Sequence, residues 1–316
     1  MWRRRLRIPV YSERGPQIKI FFHTESVERF MKKKSRFMTS DTAIHMVTAL
    51  IIIITLYPVI YVVSMSFSDP VHVLARDIYL LPKGFSLKAY RMIFENDTVL
   101  RSFGNTIWYT VTGAAVSVTL TATTAFALSR RQFFLRRQLS FLMTLTMFVS
   151  GGLIPLYILI QKMHLYNNRW AIILPYIISA YNLIITRSFF ESLPEEMAEA
   201  VKMDGGSEWT VMVRIFFPLS KPILSVLILF YGVGYWNSYF APLIFLSDEK
   251  LQPIQLYLRR ILITSEVRVS GMGMDAILMN EQMKYAVIVV ACFPIMILYP
   301  SIQKYFEKGV LIGAVK

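Results

Sequence analysis

The chain is 316 residues long, 55% of them hydrophobic and 17% charged, where a soluble domain carries about a quarter charged residues. That balance excludes an ordinary soluble globule and points to a protein that crosses a membrane several times. Topology accounts for the net charge of +14, so no nucleic acid is expected as a partner, and a single cysteine, Cys292, excludes an intrachain disulfide.

Residues 1–42 form a basic leader with eleven Arg and Lys, and Met31 ahead of Lys32, Lys33 and Lys34 is a candidate alternative start. No cleavable signal peptide is expected, because the first apolar run is too long for one. Six apolar segments follow, at about 43–66, 103–128, 139–161, 170–189, 222–246 and 284–303. Each is long enough to cross roughly 30 Å of hydrocarbon. The expected fold is therefore an all-α polytopic membrane protein with six transmembrane helices. The segment 170–189 is the least regular, holding Pro175, Asn182 and Arg187.

Four arginines, Arg130, Arg131, Arg136 and Arg137, crowd the short loop 129–139. Short loops rich in Arg and Lys stay in the cytoplasm. Both termini and the loop 190–221 are thus expected to be cytoplasmic, within a membrane domain 43–316 whose core is about 103–303 and whose tail is 304–316. The outer stretches 67–102, with an amphipathic run over 86–94, and 247–283 are long for connectors. Each suits either a surface that receives an external partner or a solvated link. Arg259, Arg260 and Arg268 in the second would meet an acidic oligosaccharide or an acidic rim on that partner, or simply solvent.

The spans hold no Asp, Glu, Lys or Arg well inside their ends, whereas ion-coupled carriers need ionisable groups at membrane depth. His23, His45, His72 and His164 are scattered, and no catalytic triad, metal cluster or phosphate loop is visible. The chain is expected to be no enzyme and to hold no cofactor or metal. Energy for uphill transport would come from another subunit. A passive channel or facilitator also fits these absences.

The loop between the fourth and fifth segments carries the clearest local signals. Ser192 and Glu195 have capping-box spacing with Pro194 between them, a short helix runs to about Met203, and Gly205 and Gly206 can end it. Ser207 can cap a second helix that ends near Pro218, with Trp209, Met212, Val213 and Phe216 on one apolar stripe. Such a hairpin either docks in a partner or lies on the lipid surface.

Glu199-Ala200-Val201, then Gly205, then Ile215-Phe216-Phe217-Pro218 resembles the signature loop of permease subunits of bacterial ATP-binding-cassette importers. Val201 and Phe217 depart conservatively from Ala and Leu. Ser66-Phe67-Ser68-Asp69-Pro70, Asn105-Thr106, Ala127-Leu128-Ser129-Arg130, Gly151-Gly152-Leu153-Ile154-Pro155 and Tyr235-Trp236-Asn237-Ser238 resemble the carbohydrate branch, and permeases for complex oligosaccharides in particular. Gly309–Lys316 matches that branch except for a final glycine.

The resemblance implies a type I ABC importer (MetI-like) permease fold in the bacterial cytoplasmic membrane. It also implies a second homologous permease subunit as heterodimer partner, a dimer of ATPase subunits that binds the ATP and Mg, and an extracytoplasmic solute-binding protein. Glu199, Ala200, Val201, Asp204, Gly205, Ile215 and Pro218 would couple to the ATPase, and the tail with Gly313 and Lys316 would reach it. Sugar sites combine aromatic faces with neutral amides, which singles out Trp236 and Asn237, then Tyr239, Tyr181 and Asn182. The same aromatics would equally serve as interface or packing residues. A non-sugar solute remains an alternative.

Overall fold

The computed structural model describes the backbone of residues 24–267 and 274–314 and the side chains of 42–263 and 277–297. The side chains of Met31 and of the leader's basic residues lie outside the described ones, as do Arg268 and Lys316 entirely, and of Gly313 only the helical backbone is described. The chain falls into two units, 1–58 and 59–316. In the first, the described side chains of helix α1 (Thr24–Phe67) are exposed, among them Ile44, Ile51, Ile52, Ile53 and Ile54. A helix that exposes isoleucine all round is stable only with lipid or another protein against it.

In the second unit, Asp69 accepts the Val71 amide at 2.9 Å and caps α2 (Pro70–Ala75). Helix α3 (Lys88–Glu95) buries Ala89 and Ile93, as the amphipathic run over 86–94 predicts. The centre of the unit is α4 (Asp97–Ser129), opened by Asn96, whose side chain accepts the Thr98 and Val99 amides at 3.0 and 3.3 Å. Its buried residues recur three or four apart and are mostly small: Ser102, Thr106, Gly113, Ser117, Thr121, Ala125. Small residues let a neighbouring backbone come close. A Cβ on Gly113 would lie 2.7 Å from the Tyr235 ring.

The predicted segment 139–161 is not one helix. It is α5 (Arg136–Phe148) and α6 (Leu153–Lys162), bent by 119°. Gly152 sits at φ 80°, ψ 170°, a region open essentially to glycine alone, so the Gly151-Gly152 pair is the break. The segment 170–189 is α7 (Trp170–Ile173), a 3₁₀ turn through Pro175, and α8 (Ala180–Glu191), with a 51° bend. The loop that follows contains α9 (Glu196–Met203), α10 (Glu208–Val211), a π turn over Met212–Phe216 and α11 (Phe217–Leu219).

Segment 222–246 divides into α12 (Lys221–Trp236) and α13 (Phe240–Phe245). Helix α14 (Ile254–Val267) precedes α15 (Met274–Ala314), which contains the sixth predicted segment. By length and composition, two helices among the described residues can cross a membrane, or up to five if each bent pair counts as one. Helix α4 packs chiefly on α12 and α8, and α15 on α12, α2 and α3.

Candidate functional site

Helix α9 ends in two reverse hydrogen bonds. The Gly205 amide donates to the Lys202 carbonyl at 3.0 Å and the Gly206 amide to the Val201 carbonyl at 2.8 Å. This is the Schellman pattern, which needs a left-handed residue after the cap. Gly205 supplies it at φ 81°, with nothing within 4 Å of where its Cβ would be. Gly206 is needed for space instead, since its Cβ would meet Val201 Cγ1 at 2.5 Å and the Val201 carbonyl oxygen at 2.8 Å. Ser207 then accepts the Thr210 amide at 3.3 Å and starts α10, as expected.

Two local expectations change. The Ser192–Glu195 capping box does not form. Ser192 is still in helical conformation at the end of α8 and donates to the Phe189 carbonyl at 2.7 Å, while the Glu195 carboxylate lies 3.6 Å from Arg131. The second helix runs through the π turn to Leu219 and ends one residue past Pro218, as expected. The predicted stripe splits as well. Met212 and Phe216 are buried, while Trp209 and Val213 are exposed. The π turn shifts the helical register within the stripe, so Val211 takes the inward place.

The hairpin is fastened to the bundle. Ala198, Val211, Met212 and Phe216 join Phe126 of α4, Leu183 and Phe190 of α8, and Val226 of α12 in one buried cluster. Arg130 lies 3.6 Å from Glu208 and over the rings of Phe126 and Phe216 at 5.9 and 5.6 Å. Lys202 pairs with Glu208 and donates to Gln132 at 3.1 Å. The short four-arginine loop, read from sequence only as a topology signal, is therefore also the clamp on this hairpin. Its Ala127–Arg130 motif was visible, but no spacing rule linked Arg130 to a glutamate 78 positions away.

The signature residues divide between two faces. Val201 and Ile215 are half-buried and hold the inner side. Glu199, Ala200, Asp204, Gly205 and Pro218 are exposed, beside Met197, Met203 and Trp209. Met203 is 88% exposed and Trp209 67%, a cost in water that a partner surface would remove.

A cavity of about 920 Å³ opens between α8, α12 and α13, lined by Tyr181, Asn182, Asn237, Tyr239 and Phe240 among others. Its lining contains no charged residue. Four of the five sequence-proposed pathway residues thus meet. Trp236 does not join them. It is 5% exposed, lines a separate cavity of about 490 Å³, and donates its indole N–H to the Ala291 carbonyl at 3.0 Å. Tyr235 and Tyr231 are tied to α4 through Ser117 at 3.0 Å and Thr121 at 2.7 Å. Arg259 on α14 stands over the Tyr239 ring at 5.8 Å, which brings a cation to the edge of the large cavity.

The opposite end of α4 anchors the start of the stretch 247–283. Asn105 donates to the carbonyls of Lys250 and Gln252 at 2.7 and 3.2 Å and accepts from Arg169 at 2.9 Å. Thr106 accepts the Ile254 amide at 2.8 Å. The Asn105-Thr106 motif is thus a backbone latch, and residues 248–254 are not a loose connector. Buried Gln282 similarly donates to the Ser68 carbonyl at 2.7 Å; nothing in the sequence marks it.

The profile of the family described as binding-protein-dependent transport system inner membrane component matches residues 117–312. Protein LplC of Bacillus subtilis (strain 168) is 42% identical over 265 residues, covering 83% of this chain and 90% of its own. The polygalacturonan/rhamnogalacturonan transport system permease protein YtcP of the same organism is 40% identical over 267 residues, covering 84% and 93%. Among solved structures, a bacterial ABC transporter involved in the import of the acidic polysaccharide alginate contains a chain 32% identical, with a TM-score of 0.78 over 84% of this chain and 98% of that one. The chain belongs to the family of inner membrane components of binding-protein-dependent transport systems.

Proposed function

We propose that this chain is one half of the membrane pathway of an ATP-driven oligosaccharide importer in the bacterial cytoplasmic membrane. It crosses six times, with both termini and the loop 190–221 inside. A second, homologous permease completes the pathway, two ATPase subunits bind the ATP and Mg, and an external binding protein delivers the sugar. The observation that carries this reading is the hairpin 196–219. It is welded to α4, α8 and α12 on one side and offers Glu199, Ala200, Met203 and Asp204 on the other. A rigid knob with an exposed acidic and apolar face can transmit a pull from an ATPase cleft to three membrane helices at once. Gly313 and Lys316 would add a second contact to the ATPase.

The favoured substrate is an acidic oligosaccharide. The uncharged cavity of tyrosines and amides suits sugar rings and hydroxyls, and Arg259 beside Tyr239 suits a uronate carboxylate. The names of YtcP and of the alginate importer point the same way. The test is uptake into proteoliposomes containing both permeases and the ATPase, with the binding protein outside. ATP-dependent uptake of a galacturonate or alginate oligomer, absent without ATP, is expected. Uptake at equal rate without nucleotide would sink the importer reading and leave a passive facilitator. Single cysteines at positions 137 and 203 should react with an impermeant maleimide only from the cytoplasmic side.

A further inference from the structure

We propose that the pocket formed by Arg131, Arg136, Arg137 and Arg187 is a binding site for the headgroup of an anionic phospholipid. The inference rests on the topology above, which puts the loop 129–139 at the cytoplasmic face. A cavity of about 530 Å³ is lined by these four arginines with Phe133, Phe134 and Ser140. Four guanidinium groups there meet two carboxylates. Glu191 takes Arg136 at 2.6 Å and Arg187 at 2.9 Å, and Glu195 lies 3.6 Å from Arg131. Arg187 also donates to Ser140 at 2.5 Å. Arg131 is 80% exposed, and Arg137 is exposed with no side-chain partner among the described residues.

The surplus of positive charge faces an open cavity, and guanidinium forks match phosphate oxygens in geometry. Helix α5 begins at this pocket with two arginines and no acidic residue in its first turn, so its own amide dipole also favours an anion there. What selects a lipid over a free anion is the surrounding surface. Phe134 is 81% exposed at the rim, and α5 runs away from the pocket for 13 residues without burying one, presenting Phe141, Leu142, Leu145 and Phe148. Acyl chains would lie along that apolar face while the phosphate fills the basic pocket. Because Arg131 also reaches Glu195 at the start of α9, the bound headgroup would touch the same clamp that holds the hairpin.

The test uses the assembled transporter with its partner subunits, titrated with phosphatidylglycerol, phosphatidylcholine or glycerol 3-phosphate and read by native mass spectrometry. Phosphatidylglycerol should be retained and phosphatidylcholine lost. Each arginine near a lipid surface contributes about fivefold in affinity, so Arg131→Gln with Arg137→Gln should weaken retention roughly 25-fold. Both side chains are exposed, so the double variant folds. Arg91→Gln, on an exposed ion pair of α3, should change nothing. The proposal is overturned if phosphatidylcholine is retained equally or if the double variant binds as the parent does. It also fails if glycerol 3-phosphate alone displaces the lipid at equal concentration, or if the lipid binds only after the ATPase is stripped away. Lipid retention does not depend on uptake, so loss of the importer reading would show separately, as uptake indifferent to ATP.

Discussion

Replacing Gly205 tests how force would pass through the hairpin. At φ 81° an L-residue is strained by about 1–2 kcal/mol, although the position is sterically open, with no atom within 4 Å of an added Cβ. Bulk therefore does not matter inside this chain; backbone conformation does. The strain is relieved by opening the last turn of α9, which forfeits the Gly205–Lys202 and Gly206–Val201 hydrogen bonds. A change of 1–2 kcal/mol shifts the intact-to-open ratio about 5- to 30-fold. Asn tolerates the left-handed region, Ala does so poorly and β-branched Val worst. ATPase activity stimulated by sugar-loaded binding protein, at matched membrane content, should fall in the order Gly205, Asn, Ala, Val. Equal activity in all four would refute the reasoning. So would an Asn variant as poor as the Val variant, since that would show side-chain size at the partner surface to be decisive.

Further outcomes follow from the geometry. Glu199→Lys reverses an exposed charge, so membrane insertion should be normal while the ATPase copurifies poorly and coupled uptake drops at least about tenfold, as a loss of ~1.4 kcal/mol gives. Arg130→Gln removes the contact with Glu208 and the stacking on Phe126 and Phe216, and should cost about 1 kcal/mol in thermal unfolding, with trypsin cutting the hairpin faster. Gly113→Ala pushes a methyl into the Tyr235 ring and should destabilise by about 1–3 kcal/mol, partly restored by adding Tyr235→Leu. In uptake assays Asn237→Ala and Tyr239→Ala should raise KM. Trp236→Phe should leave KM unchanged and lower stability by about 1 kcal/mol through its lost hydrogen bond to Ala291.

Local chemistry was legible where a rule acts over a few residues. The C-terminal end of α9, the Ser207 cap and the amphipathic run before α4 follow from residue type at fixed spacing. Failures came where backbone continuity was assumed. The Gly151-Gly152 break and the Asn237–Tyr239 interruption lie inside apolar runs that read as single spans, because hydropathy records composition and not conformation. The capping box failed because Ser192 was already used by the preceding helix, and the stripe over 209–216 failed because a π turn reset the period.

What the amino-acid sequence determined by itself is the class of protein, the charge asymmetry and the hairpin's signature, since each rests on composition or on contacts within one turn. Tertiary structure alone decided which of those residues act together. Arg130 meets Glu208, Asn105 meets residues 250–252, and Tyr181 and Asn182 join Asn237 and Tyr239 around one cavity. It also turned Trp236 away from them, toward Ala291. The physical reason is that an apolar helix specifies only that it be buried or in lipid. Its rotation and its partners are set by where small residues such as Gly113, Ser117 and Thr121 let another helix come close.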